Sequence, residues 1–447
     1  MIGVGPFITL PLLIGAMGGP QAMLGWVLGA LLALCDGLVW AELGAALPQA
    51  GGTYAYLRII YPGRLGDAVS FLFLFQVFFS CPLSVASGAV GLSQYAAYLA
   101  PSLTHHTLLH VLHLGRYTAA VSVSPTTAVA VGVILLAVVL LYRNLSHIGA
   151  LSVAMLVIVL SAIAWIIITA LAYGHFSQAL HLPHEAFHLS SAFFGGLASA
   201  MLIATYDYWG YYNVSLLGGE VKEPGRTIPR AILLSIAIVA VLYLAMNLSV
   251  LAVLPARRAM VSLFIVEAYA PALGLAKAHL LGEVAAVLIM VTAFGSVFAL
   301  LLGYSRIPYA AAAEGNFFRI FARLHPTRKF PYVSLLTLAV AAALFCFFSL
   351  ADVIAALVVL RLLLQFLTQH IGVIFLRRTQ PNLPRPFRLW AYPFPPLLAL
   401  AGFTYILFAR PNFTRELLLA GVVILLGLTL FLLQRRRKTP STVCPAA

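Results

Sequence analysis

The sequence predicts an all-α, polytopic membrane protein with about 12 transmembrane helices, and three observations carry that expectation. Of its 447 residues 62% are hydrophobic and only 9% are charged, whereas a soluble domain needs about a quarter charged to cover its surface. Apolar runs near or above about 18 residues recur along the whole length. The polar connections between them are too short for a soluble domain, the longest reaching only about two dozen residues.

The spans are expected at 1–17, 21–47, 66–99, 124–143, 147–173, 190–217, 228–254, 279–308, 331–349, 352–376, 392–409 and 416–433. The first opens without a polar leader or cleavage site, as "MIGVGPFITLPLLIG". The second gives way to "LPQAGGTYAYLRIIYPGRLG" (47–66), and the sixth to "GGEVKEPGRTIPRAI" (218–232). The eighth is followed by "SRIPYAAAAEGNFFRIFARLHP" (305–326), the tenth by "LRRTQPNLPRPFRLWAYPFPP" (376–396), and the twelfth by a tail at 434–447. These four connections are rich in Pro, Gly, Arg and aromatics. Turn chemistry, headgroup charge and an aromatic belt at the membrane surface are sufficient reasons for that composition.

A formal net charge of +14 suggests nucleic acid until the charges are placed. With the N-terminus in the cytoplasm, 19 of the 26 Lys and Arg fall on the inner side, 6 on the outer, and Arg361 lies within a span. That asymmetry is the positive-inside rule. It expects an integral protein of the plasma (inner) membrane with both termini cytoplasmic, and makes the lipid bilayer rather than nucleic acid the partner. Cys35, Cys81 and Cys346 lie in apolar spans and Cys444 in the tail, so the four cysteines read as small core residues rather than a disulfide framework.

Nine of the 12 histidines sit in outer connections, among them "HEAFH" (184–188). That stretch lacks the HExxH order of a zinc helix, so a solvated histidine-rich face is expected and no metal. Nothing calls for a cofactor. No phosphate-binding loop, acid pair or Ser/His/Asp constellation is present, which argues against an enzyme or an ATP-driven pump.

Two apolar segments are interrupted. "GVGP" (3–6) places Gly3, Gly5 and Pro6 in the first, where Pro6 removes an amide donor and the glycines relax the backbone. "YDYWGYYN" (206–213) places Asp207 and Gly210 in the sixth. A broken helix exposes N–H groups at one stub and C=O groups at the other, and in lipid these must line a wet cavity or meet a ligand. A carboxylate suits the first stub and an ammonium the second. If ten helices form two repeats of five, these breaks occupy corresponding positions, which is the sequence pointer to a transporter site at mid-membrane. Glycine alone is equally a packing residue. Asp207 adds a charge that costs roughly 2.5–3.5 kcal/mol at a helix centre and is retained mainly for function.

Other polar groups lie within spans. Asp36, Glu42 and Asp207 are candidate proton-coupling residues, with Glu42, near a helix end, more readily a structural group. Arg361, Gln365 and Gln369 recur at i, i+4 and i+8 beside His370, so they share a face turned into the bundle, for gating or for interhelical hydrogen bonding.

The motifs together resemble the amino acid–polyamine–organocation (APC) superfamily of secondary transporters across essentially the whole chain. "GVGPF" (3–7) is similar to that family's Gly-x-Gly-x-Phe, with Val4 where a small hydroxyl residue is common. "AELGAALPQAGGTYAYLR" (41–58), "GEVKEPGRTIPRAI" (219–232), "SRIPYAAAAEGNFF" (305–318) and "RPFRLWAYPFPP" (385–396) follow in the family's order. The resemblance implies the leucine-transporter fold. A first repeat would span 1–173, its first helix truncated at the N-terminus, and a second 190–376; helices eleven and twelve would lie at 392–433. It implies that the backbone of Gly3, Val4 and Gly5, ahead of Pro6, meets a substrate carboxylate. Carbonyls around Tyr206, Asp207 and Tyr208 would meet an amine, and Trp209 and Tyr211, flanking Gly210, would serve as gate or pocket wall. No Lys or Arg occurs between His147 and Tyr173, where several proton-coupled members bury a lysine. The expected function is transport of an amino acid, with protons as a possible partner. A polyamine or organocation transporter or exchanger is the alternative, and a transporter-like nutrient receptor a more distant one.

Overall fold

Helices stand at all twelve expected places in a computed structural model of the chain, which describes residues 2–3, 5–49, 51–104, 108–114, 117–142, 145–184, 186–256, 271–272, 274, 278–348, 361–409 and 413–437. In chain order they are α1 (Gly5–Met17), α2 (Met23–Ala46), the short surface helix α3 (Thr53–Ile60), α4 (Gly63–Leu99), α5 (Pro125–Leu141) and α6 (Leu145–Tyr173). Then come the single turn α7 (Phe176–Ala179), α8 (Ser191–Tyr208), the single turn α9 (Asn213–Leu216), α10 (Pro224–Val253) and α11 (Ala278–Tyr304). The last five are α12 (Arg306–Ala313), α13 (Tyr332–Phe345), α14 (Thr368–Thr379), α15 (Phe394–Phe408) and α16 (Phe413–Arg437). Five stretches among these, at Pro20–Ala46, Gly63–Leu99, Ser152–Tyr173, Pro224–Val253 and Leu280–Ala313, are long and apolar enough to cross a membrane. Five shorter helices are apolar too.

Local chemistry sets several of the boundaries. Ser124 and Ser190 cap α5 and α8, each accepting from an amide three residues on (Thr127 and Phe193), and Pro125 opens α5 where its missing amide costs nothing. The all-helical expectation has one exception outside the spans. β1 (Leu108–Leu114) and β2 (Tyr117–Val123) pair antiparallel, Leu108 opposite Val123 and Leu114 opposite Tyr117. Valine, threonine and tyrosine in this connection suit a strand.

α2 packs along α10 and α8, α4 along α11, α13 and α5, and α1 lies against α8. Two large apolar clusters and a smaller third result among the described residues. One large cluster gathers Trp26, Trp40, Tyr208, Tyr243, Phe366 and Phe403 around α2; the other gathers Phe7, Leu10, Val85, Ile134, Ile163 and Phe298 around α1, α4 and α11. Leu135, Val153, Leu171, Val241 and Leu425 stay exposed on the outside, as lipid-facing side chains do. Cys35, Cys81 and Cys346 are buried and unbridged. Cys444 lies outside the described residues.

The four basic connections are tied together more firmly than belt composition requires. Arg58 of α3 pairs with Glu314, and with Asp67 at 3.7 Å. Tyr54 donates to Glu314 at 3.1 Å and accepts from Asn316 at 3.0 Å. Burial pushes the Tyr54 hydroxyl up to about 12, so it stays protonated and keeps donating. Arg306 grips Glu220 through bonds of 2.8 and 3.2 Å. Glu42, at the end of α2, accepts from Arg377 Nε at 2.9 Å and from the Leu389 amide at 2.8 Å, with Arg385 Nε 3.4 Å away. Among the proton-coupling candidates, Glu42 thus has its oxygens held by two guanidinium groups and a backbone amide.

Candidate functional site

The two interruptions meet. α1 begins at Gly5, so the amides of its first turn have no partner within the helix, and α8 ends at Tyr208, where the Trp209 amide caps the Thr205 and Tyr206 carbonyls and the helix offers no amide to those of Asp207 and Tyr208. After α8 the chain turns through Trp209 and Gly210, whose φ of 117° lies in the region glycine tolerates, before α9 resumes. Gly5 stands directly under Asp207: a Cβ added at Gly5 would collide with Asp207 Oδ1. Thr9, one turn into α1, donates to Asp207 Oδ2, so the first helix both makes room for the carboxylate and holds it. Among the described residues Oδ1 has no hydrogen-bond partner.

A cavity of about 80 Å3 opens between these stubs. On the scale where one water needs roughly 10–15 Å3, it holds about half a dozen waters or one small polar solute. Gly3, Gly5, Pro6, Tyr206, Asp207, Trp209 and Gly210 line it. Tyr208 and Tyr211 do not. The Tyr208 ring packs edge-on to Trp26, its hydroxyl 3.4 Å from the Trp26 carbonyl, and Tyr211 donates to Asp36. Tyr208, still within α8, faces α2; the turn after α8 breaks the helical phase and sends the Tyr211 ring outward from the cavity, while Tyr212 comes inward. Val4 lies outside the described residues.

The remaining lining comes from elements outside the two breaks. α4 supplies Ser84 and Ser87, α11 supplies Ser296, Leu300 and Tyr304, and Arg361 closes one side. Ser87 Oγ bonds Tyr206 Oη at 2.9 Å. Arg361 donates to Tyr212 Oη, Ser84 Oγ and Tyr304 Oη, each at 2.8 Å, and its guanidinium carbon stands 5.5 Å over the Trp209 ring. Trp209 in turn stacks on Phe366 at 5.1 Å. The serines were legible only as a pattern, Ser80, Ser84 and Ser87 at i, i+4 and i+7 on one helix face.

Arg361, Gln365, Gln369 and His370 are all buried, but they do not act as one face. A π-helical turn over Leu362–Leu367 shifts the phase between Arg361 and the rest. Arg361 reaches the cavity, Gln369 accepts from Thr53 at 2.8 Å, and His370 meets Asp36. His370 Nδ1 lies 2.7 Å from the Phe366 carbonyl, which only accepts, so Nδ1 carries a proton. Nε2 is 3.2 Å from Asp36 Oδ1, out of line for a hydrogen bond but within pairing distance. Pairing those two atoms takes one proton, on the imidazole or on the carboxyl. Among the described residues no group of three His, Cys, Asp or Glu could hold a metal ion; His105, His106 and Glu185 fall outside them.

Fold and cavity together define a polytopic helical membrane protein with a polar cavity where two interrupted helices meet, the plan of a small-solute transporter. The chain belongs to the amino acid permease family, whose model, described as "Amino acid permease", matches residues 1–429. It is 31% identical over 348 residues to an uncharacterized transporter of Mycobacterium tuberculosis, covering 77% of this chain and 70% of that one. It is 25% identical to the branched-chain amino acid permease BcaP of Bacillus subtilis, covering 98% of this chain and 90% of BcaP. To the serine/threonine exchanger SteT of the same organism it is 26% identical, covering 96% and 91%. These relatives are transporters, not enzymes, and so is this chain. The expected APC membership is thereby shown.

Proposed function

We propose that the protein carries an amino acid across the plasma membrane as a secondary transporter, the substrate resting in the cavity between α1 and the end of α8. The ammonium faces Asp207 and the last carbonyls of α8, and the carboxylate faces the amides that open α1, Gly3 and Gly5 giving it backbone access. The observation that carries this reading is the contact of Gly5 with Asp207, which joins two segments 202 positions apart at one polar cavity. Family membership supports the solute class. On this reading α1–α6 and α8–α14 form two inverted repeats that rock about the cavity, and the Lys and Arg excess keeps the basic connections and both ends in the cytoplasm. Of the candidates Asp36, Glu42 and Asp207, we assign proton coupling to Asp36, and its pairing with His370 supports that reading.

The test is uptake of radiolabelled serine, leucine and putrescine into liposomes holding the purified chain, with Asp207→Asn beside the wild type. Serine or leucine enters, and the variant weakens that uptake about tenfold, the worth of one charge-assisted hydrogen bond. Uptake of putrescine alone, abolished by the variant, would instead establish a polyamine carrier.

A further inference from the structure

Two charges line the cavity, Asp207 and Arg361, and they are not treated alike. Asp207, 5% exposed, has Thr9 on one oxygen and, among the described residues, nothing on the other. Arg361 is 4% exposed, and its guanidinium keeps its charge at any working pH. Its partners, Tyr212, Ser84, Tyr304 and the Ser80 carbonyl, are all neutral. No carboxylate pairs with it among the described residues, and its Nε has no hydrogen-bond partner. A buried cation held by dipoles but not neutralised projects its field into the space beside it, where water no longer screens.

A solute whose single ammonium meets Asp207 is balanced there. Each additional positive charge would have to lie in the field of Arg361, with no further acid among the described lining residues to offset it. We infer that Arg361 is the specificity-determining residue of this cavity: it admits amino acids of zero or negative net charge and excludes organic cations, both polyamines and amino acids with a cationic side chain. This rests on the reading that the cavity is the substrate site, and it decides between the amino acid and polyamine alternatives which the sequence leaves open.

The purified full chain in detergent is heated with serine, leucine, glutamate, lysine or putrescine at millimolar concentration, as wild type, Arg361→Gln and Arg361→Lys. The wild type is stabilised by one or more of serine, leucine and glutamate and not by lysine or putrescine. Arg361→Gln gains affinity for lysine or putrescine by about tenfold or more, a change of one unit charge at close range. Arg361→Lys keeps the exclusion, because it keeps the charge while losing the planar fork. Lysine or putrescine stabilising the wild type overturns the inference even if the glutamine variant does not fold. So does a glutamine variant with the wild-type profile. Silence of the wild type towards the whole panel overturns the transport reading itself, and the filter with it.

Discussion

Asp36 and His370 show how much a single pair of residues decides. Both side chains are fully buried, and the imidazole is anchored by its Nδ1 proton on Phe366 and by the Phe403 ring edge-on at 5.6 Å. Tyr211 donates to the other Asp36 oxygen, and Oδ1 and His370 Nε2 are left facing each other at 3.2 Å with no hydrogen bond among the described residues. A proton leaving that spot strands a charge beside a ring it no longer pairs with, and Tyr211 links the event to the turn that follows Asp207. Asp36→Asn keeps the shape and still accepts from Tyr211, so the protein folds. It removes the exchangeable proton, so the stimulation of uptake by an inward pH gradient disappears. Uptake measured with and without the gradient checks this; stimulation persisting in the variant would remove Asp36 from the coupling.

At the scale of elements, the site depends on how closely α2 approaches α8. Gly25 and Gly29, four apart, face Ala200 and Ala204, also four apart, the small-residue spacing that lets membrane helices touch backbone to backbone. A Cβ at Gly25 would stand 2.6 Å from Ala200 Cβ and 2.9 Å from its carbonyl carbon, a clash that no rotamer relieves. Gly25→Ala is therefore expected to destabilise the fold by about 1–3 kcal/mol, as overpacking does, and to displace the end of α8 that carries Asp207. The melting temperature of the purified variant and its residual uptake report the two effects. An unchanged melting temperature would mean that α2 can shift without cost. The π-helical turn at Leu362–Leu367 works the other way: it separates the duties of neighbouring residues, giving Arg361 to the cavity and His370 to Asp36.

Across the whole molecule, the ion pairs at the basic connections join elements far apart in the chain. Glu42 binds α2 to α14 and to the stretch leading into α15, while Arg58 and Arg306 fasten α3 and α12 to Glu314 and Glu220. Removing one partner of a buried pair usually costs about 3–5 kcal/mol because the other charge is stranded. For Arg377→Ala we expect less, about 2 kcal/mol, since Arg385 remains 3.4 Å from the carboxylate. Unfolding of the variant in detergent gives that figure, and a loss above 4 kcal/mol would show Arg385 to be no substitute.

The spans and both interruptions are legible in the chain because hydropathy and helix-breaking chemistry are local: Pro6, Gly5, Gly210 and Asp207 announce themselves wherever the rest of the protein lies. The hairpin at 108–123 was less so, since a short connection between spans has no period long enough to read. What only the folded chain decides is which side chains face one another. That Tyr212 rather than Tyr211 reaches the cavity, that Ser84, Ser87 and Tyr304 join it, and that Arg361 stands there with no acid beside it among the described residues all follow from the relative depth and phase of α4, α8, α11 and the π-helical turn ahead of α14. Phase is set by a turn after Gly210 and by a π-helical turn, and depth by close packing of small residues. Each of these adjusts a helix against partners a hundred or more residues away, so no window of sequence contains them.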